Sequence, residues 1–275
     1  MRNVLITGGS SGIGRACVAR FGHSGDRVWF TYRSGRERAR QIVGELSAAG
    51  AQVEAFEFDQ GDWTSHQRLA ANLPGPVEIL INNAAVGSRS IQRYVAGSDA
   101  DRTAAFLHIN SVGPLWLTQQ MLPGMIERGY GKVVNIASVG GGIATFPGFH
   151  VADGMSKAAL AYLTRHLAAE LAHEPVEVFA VCPGAVDTAM LQASTLSGLS
   201  AQERRALEAR LPGGRLLRPE EVAAVVWWLT GRDAVLLHGA VIDASMGLGV
   251  HPGLLSGATP PQRPPVAAES RGSVA

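Results

Sequence analysis

Asp153 and Lys157 stand four residues apart at the head of a stretch with helical periodicity, Gly154–His173, which sets a carboxylate and an ammonium on one helix face. The chain has only two lysines, Lys132 and Lys157, among many arginines, so the position of each is informative. A carboxylate here can cap the helix that begins near Gly154, pair with Lys157 as a structural salt bridge, or serve as a working base. A carboxyl of ordinary pKa, about 3.9, is expected to be lowered further beside Lys157 and to stay ionised at neutral pH. His150, in the preceding loop, titrates in the range suited to supplying a proton.

A second chemical feature opens the chain. The strand Asn3–Thr7 runs into Thr7-Gly8-Gly9-Ser10-Ser11-Gly12-Ile13-Gly14, and a helix, Gly14–Gly22, follows. Glycines permit a tight turn and close backbone approach, and a helix N-terminus aims free N–H groups at a pyrophosphate. Gly8, Ser10, Ser11, Gly12, Ile13 and Gly14 are therefore candidate dinucleotide contacts. At the end of the second strand, Tyr32-Arg33-Ser34 offers no acid to bond ribose hydroxyls, while Arg33 could pair with a 2′-phosphate. That favours NADP(H) over NAD(H), against the alternative of a solvated arginine in a loop that also holds Arg36 and Arg38.

The elements that must position these groups alternate. Short β-branched or apolar runs lie at Asn3–Thr7, Arg27–Tyr32, Gln52–Phe58, Glu78–Ile81, Lys132–Ile136, Glu177–Val181 and Ala240–Asp243. Helical periodicity falls between them, at Gly14–Gly22, Glu37–Ala49, Ala104–Arg128, Gly154–His173 and Glu220–Leu229. Such alternation predicts an α/β fold, a single Rossmann-type doubly wound parallel sheet with helices on both faces. One domain is read over 1–250, with a polar insertion at about 190–215 that could form a lid, and a flexible tail rich in Pro, Ser and Ala at 251–275.

Bulk properties narrow the function. A net charge of +1 argues against nucleic acid or an anionic membrane as the main partner, and 46% hydrophobic residues suit a buried core. Cys17 and Cys182 make no disulfide framework, no metal site is read, and no apolar run approaches the roughly 20 residues of a membrane span. A soluble, cytoplasmic protein is expected.

Several motifs together resemble the short-chain dehydrogenases/reductases, in particular the 3-oxoacyl-acyl-carrier-protein reductases, over roughly residues 1–250. TGGSSGIG matches the family's TGxxxGIG, with Ser11 where phosphate-selective members carry a basic residue. Phe58-Asp59 ends the third strand, Asn82-Asn83-Ala84-Ala85 resembles NNAG, and Asn110 matches the family's helix asparagine. Val134-Asn135-Ile136-Ala137-Ser138 resembles the strand that delivers the catalytic serine. Cys182-Pro183-Gly184, with Thr188, resembles the loop that holds the nicotinamide. The resemblance implies that Asp59 meets the adenine amino group, and that Asn83, Ala84, Pro183, Gly184, Thr188 and Lys157 contact the cofactor. It also implies that Asn110, Ser138 and Lys157 are catalytic.

The departure is decisive for chemistry. The family's catalytic tyrosine stands four residues before its lysine, where this chain has Asp153, shorter by a ring; Tyr130 and Tyr162 are out of place. Three functions remain: an NADP(H)-dependent oxidoreductase on a carbonyl or secondary alcohol with an altered proton path, a silent subunit completed by an intact paralogue, or a dehydratase, isomerase or cyclase using Asp153 as base. Family members commonly form dimers and tetramers through the two long helices, here largely apolar. Leu191, Leu196, Leu199, Leu207 and Leu211 in the insertion suggest an apolar small-molecule substrate, unless they only anchor the lid.

Overall fold

The chain begins with β1 (Asn3–Ile6), turns through the glycine-rich segment into α1 (Gly12–His23), and continues as β2 (Arg27–Tyr32), α2 (Arg36–Ala48) and β3 (Gln52–Glu57). This is a computed structural model, and it describes residues 1–146 and 149–250; the tail read at 251–275 lies outside the described residues. The middle of the chain forms α3 (Trp63–Asn72), β4 (Ile79–Asn82), a short α4 (Ile91–Tyr94) and α5 (Asp99–Leu107). A π turn over His108–Val112 leads into α6 (Gly113–Glu127) and β5 (Gly131–Ile136). An irregular turn, α7 (Val139–Gly142), precedes α8 (Val151–Glu170) and β6 (Val176–Pro183). The chain then forms α9 (Ala189–Leu191), α10 (Ala201–Arg210), α11 (Pro219–Leu229) and β7 (Val241–Ala244).

All seven strands are parallel, in the order β3-β2-β1-β4-β5-β6-β7. The expected doubly wound sheet is present, with helices on both faces. Alternation along each strand divides the core. Val4, Ile6, Val28, Phe30, Ile79 and Ile81 face α1, α2 and α11, while Leu5, Trp29, Leu80, Val133 and Val178 face α3, α6 and α8. The inner strands β1, β2, β4, β5 and β6, buried on both faces, read as near-continuous apolar runs, while the edge strand β3 is partly exposed and alternates apolar with polar residues.

The helical span read at Ala104–Arg128 is present as one continuous run through α5 and α6, beginning earlier, at Asp99, and holding a one-turn π bulge that contains Asn110. Pro114, at the start of α6, has no N–H to continue the α-helical ladder, and a Cβ on Gly113 would come within 2.5 Å of the Gln60 carbonyl. Helix α3 escaped notice because its composition is mostly polar; its start is marked by Asp62, whose side chain accepts from the Thr64 amide at 3.0 Å.

Candidate active site

Strand order reverses between β1 and β4, so a crevice opens beyond their carboxyl ends. Thr7 closes its floor. The Thr7 hydroxyl accepts from the Asn83 and Ala84 amides at 3.0 and 2.9 Å, and Asn83 Nδ2 donates to the Thr7 carbonyl at 2.9 Å. Gly8 has φ +68, and a Cβ there would meet Ala84 Cα at 3.0 Å. At Gly14 a Cβ would run into the Gly8 carbonyl and Asn83 Nδ2, so both glycines are required by close approach. Ser11 is the N-cap of α1 but makes no side-chain cap bond, leaving first-turn amides open to an anion. Gly12 sits beneath Thr188, whose Cγ2 would lie 3.1 Å from an added Cβ, so the loop after β6 returns to the glycine turn. Pro183 ends β6, and Gly184 lies against Ser245 at the same sheet edge. Ser10 and Ile13 belong to the same turn. This cradle of open amides and missing side chains fits a dinucleotide pyrophosphate.

Beyond the carboxyl ends of β2 and β3 lies a contact the sequence did not reveal. Tyr94 donates its phenol to the Asp59 carboxylate, and the Arg33 guanidinium lies 4.1 Å from the Tyr94 ring centroid. Asp59 also accepts from the Gly61 amide at 2.9 Å. Burial and the neighbouring Asp59 push the Tyr94 phenol well above its ordinary range. A cation–π contact does not use up the guanidinium N–H donors, and Arg33 makes no hydrogen bond among the described residues, so it remains able to meet a phosphate.

At the carboxyl end of β5, Ser138 caps α7, its hydroxyl accepting from the Gly140 amide at 3.2 Å. Lys157, 9% exposed, donates from Nζ to the Ile136 carbonyl at 3.3 Å. Burial lowers its pKa, opposed by Asp153 and Cys182. Asn110 is spent on structure: Oδ1 accepts from the Val86 amide at 2.8 Å, while Nδ2 donates to the Val86 carbonyl at 3.0 Å and to Ser156 Oγ at 3.1 Å. Ser156 in turn donates to the Asp153 carbonyl at 2.7 Å. Asn110 therefore pins the loop after β4 to α8, the bridging role its residue type also allows.

Three expectations for Asp153 are corrected. It is not the N-cap, because α8 starts at Val151 with His150 as cap, and Asp153 lies inside the first turn. Nor is it a salt bridge: among the described residues its carboxylate has no cation within 4.0 Å and no hydrogen bond. Its pKa is raised, not lowered, because burial outweighs the attraction of Lys157 and His150. A half-buried, unpartnered carboxyl one helical turn from a buried lysine is the kind of group that active sites contain.

The insertion at 190–215 folds as α9, a π turn at Gln192–Leu196 and α10. Leu196 and Leu211 are buried with Val139 and Leu248, and Leu191, Leu199 and Leu207 pack against them with Phe146. These leucines anchor the insertion to the sheet edge, so they no longer argue for an apolar substrate. Reading by residue type also missed Asn82 and Asn135 as a unit. Asn82 Nδ2 bonds Asn135 Oδ1 at 2.9 Å, and Asn135 Nδ2 bonds Thr164 Oγ1 at 2.9 Å, tying β4, β5 and α8 together beneath the site. Two buried amides at matching register on adjacent strands were the available signal.

Fold and cradle together define a dinucleotide-binding α/β protein. The profile described as short chain dehydrogenase matches residues 2–197. An acetoacetyl-CoA reductase of Cupriavidus necator is 31% identical over 256 residues, covering 92% of this chain and 99% of its own. A galactitol 2-dehydrogenase of Rhizobium johnstonii is 32% identical over 247 residues, covering 88% and 93%. Among solved structures, a variant of actinorhodin polyketide ketoreductase with NADPH superposes with a TM-score of 0.81 at 32% identity, covering 91% of this chain and 98% of that one. A 3-oxoacyl-[acyl-carrier protein] reductase with bound NAD from Brucella melitensis gives 0.78 at 26% identity, covering 91% and 92%. The chain belongs to the short-chain dehydrogenase/reductase family, whose relatives here are NAD(P)-dependent oxidoreductases of carbonyl and alcohol substrates. No helix among the described residues is long and apolar enough to cross a membrane.

Proposed function

We propose that this chain is an NADP(H)-dependent oxidoreductase that interconverts a carbonyl compound and its secondary alcohol, with Asp153 where the family's proton-donating tyrosine stands. The observation that carries the reading is the Asp153 carboxyl, unpartnered, half-buried and one turn from Lys157, with a pKa raised by burial. A bound nicotinamide cofactor would supply the hydride. Ser138, whose hydroxyl has one contact to the Gly140 amide, would donate a hydrogen bond to the carbonyl oxygen. Protonated Asp153 would deliver the proton that turns the developing alkoxide into an alcohol, and Lys157 would stabilise the carboxylate left behind. The cofactor would lie over Gly8, Ser10, Ser11, Gly12, Ile13 and Gly14, flanked by Asn83 and Ala84 and by Pro183, Gly184 and Thr188, with Asp59 at its adenine. Purified protein should oxidise NADPH in the presence of carbonyl compounds. Turnover only after adding an intact paralogue would instead mark a silent subunit.

Arg33 carries the cofactor preference. Arg33→Ala should weaken NADPH binding by about 1.5–3 kcal/mol through loss of a charge-assisted hydrogen bond, and NADH far less. Equal losses in titration calorimetry would remove Arg33 from recognition of the phosphate.

The assembly should be a dimer or tetramer. On the outer face of α8, Val151, Met155 and Tyr162 are 74%, 51% and 68% exposed, an apolar stripe suited to a second helix. Tyr162→Asp should shift the mass in light scattering toward a monomer, because burying an unpaired charge is costly. A monomeric unmodified protein would refute the interface. Ala161 is no probe of it, being 3% exposed within the subunit.

A further inference from the structure

A cavity of about 250 Å³ opens between the loop after β4, the first turns of α5 and the residue that precedes α8. Its polar lining includes Ser88, Arg89, Gln92, Arg102, Thr103 and His150. His150, which lines the cavity, is the N-cap of α8, and Asp153 lies three residues on in the first turn of the same helix, about 4.5 Å along its axis. Such a volume suits one end of a small substrate better than a whole one.

The lining carries an unbalanced positive charge. Arg102 is engaged: it donates to the Asp99 carboxylate at 2.5 Å and to the Gly97 carbonyl at 2.5 Å. Asp99, also in the lining, is 99% exposed, so it faces water and neutralises only Arg102. Arg89 makes no hydrogen bond or ion pair among the described residues. The hydroxyls of Ser88 and Thr103 and the amide of Gln92 add neutral donors. Behind this polar wall the apolar side is thin: Ile91 is buried, and the His150 ring lies 4.8 Å from Phe106. With the leucines of the insertion packed elsewhere, this end of the site recognises charge, not hydrocarbon.

We propose that the cavity is an anion subsite of the active centre, in which Arg89 binds the carboxylate of an oxo-acid substrate whose carbonyl faces Ser138 and Asp153. This rests on the oxidoreductase reading for the reacting end, but binding at the subsite does not need turnover. One uncompensated guanidinium matches one negative charge, and its planar fork fits a carboxylate. A dianionic phosphate would carry one negative charge more than the single uncompensated guanidinium of the lining can balance.

Two measurements test the subsite independently of each other. In the first, kcat/KM is compared for 4-oxopentanoate and 5-oxohexanoate and for their methyl esters. The acids should be preferred, and Arg89→Gln should lower the acid-to-ester ratio by about tenfold or more, the scale of a charge-assisted hydrogen bond. Arg89→Lys should recover part of it. Esters preferred by the unmodified protein, or a ratio unmoved by Arg89→Gln, would overturn the proposal. In the second, pentanoate, which has no carbonyl to reduce, is titrated into the protein by calorimetry. It should bind and lose about tenfold in affinity in Arg89→Gln. Binding without any oxo-acid turnover would keep the subsite and discard the oxidoreductase reading. A stronger response to pentyl phosphate than to pentanoate would overturn the carboxylate assignment.

Discussion

Asp153→Asn is expected to lower carbonyl reduction by about 10²–10⁴-fold, the range for loss of a general acid, with NADPH affinity held within about twofold. The carboxamide keeps the size of the side chain but cannot pass a proton to an alkoxide and recover it from water. Because the Asp153 side chain neither caps α8 nor pairs with any group among the described residues, little structural loss should accompany the change. The pH dependence is the sharper readout. Burial raises the Asp153 pKa, so reduction by the unmodified protein should be fastest at low pH and fall as pH rises through that raised value. In Asp153→Asn the limb should vanish. Stability should follow with the same sign: between the unfolded and the raised folded pKa the folded state binds the extra proton, so this group's contribution is lost as pH rises. Asp153→Tyr should remain an active reductase, with its falling limb moved to higher pH because a phenol ordinarily titrates near 10. Full activity and an unchanged limb in Asp153→Asn would show that the proton comes from elsewhere.

The inner strands were legible because burial on both faces leaves apolar runs, the edge strand β3 because it alternates, and Gly8-to-Gly14 because few residue types tolerate its close contacts. Asp153 shows the limit. Its spacing from Lys157 is a sequence fact, but whether burial or the lysine controls its proton depends on how far α8 is sunk against β5 and β6. The start of α8 differs too: Asp153 is the residue type better suited to capping, yet α8 begins at Val151 with His150 as its N-cap. Long-range contacts were the other hidden part. Tyr94 lies 35 residues from Asp59 and meets it only because α4 folds back over the end of β3. Nothing in the type or spacing of Arg89 sets it apart from the other arginines; only the fold places it in the lining of a cavity with His150. The insertion leucines misled for the opposite reason, since periodicity identifies a buried face without saying what buries it.

Lys157→Met should produce the clearest trade between function and stability. Methionine nearly matches the lysine stem, so packing survives while the ammonium is removed. Carbonyl reduction should fall by about 10²–10³-fold, the scale for losing one preorganised charge at a reacting centre. Cofactor affinity should weaken as well if Nζ meets the ribose. The folded protein, however, should become more stable at neutral pH. Lys157 is buried with no carboxylate within 4.0 Å among the described residues and a single 3.3 Å bond to Ile136, a poor return for a desolvated ion. Losing that bond costs about 1 kcal/mol, against several for the buried charge, so Tm should rise by at least ~2 °C. The pH dependence fixes the cause. A lysine whose pKa is lowered in the fold binds its proton better when unfolded, so its presence makes the protein gain stability as pH rises from the folded value toward 10.5. Calorimetric melts across that window should show the gain in the unmodified protein and its loss in Lys157→Met. If the two proteins melt in parallel at every pH, Lys157 carries no desolvation penalty in the fold, and the expected rise in Tm loses its cause.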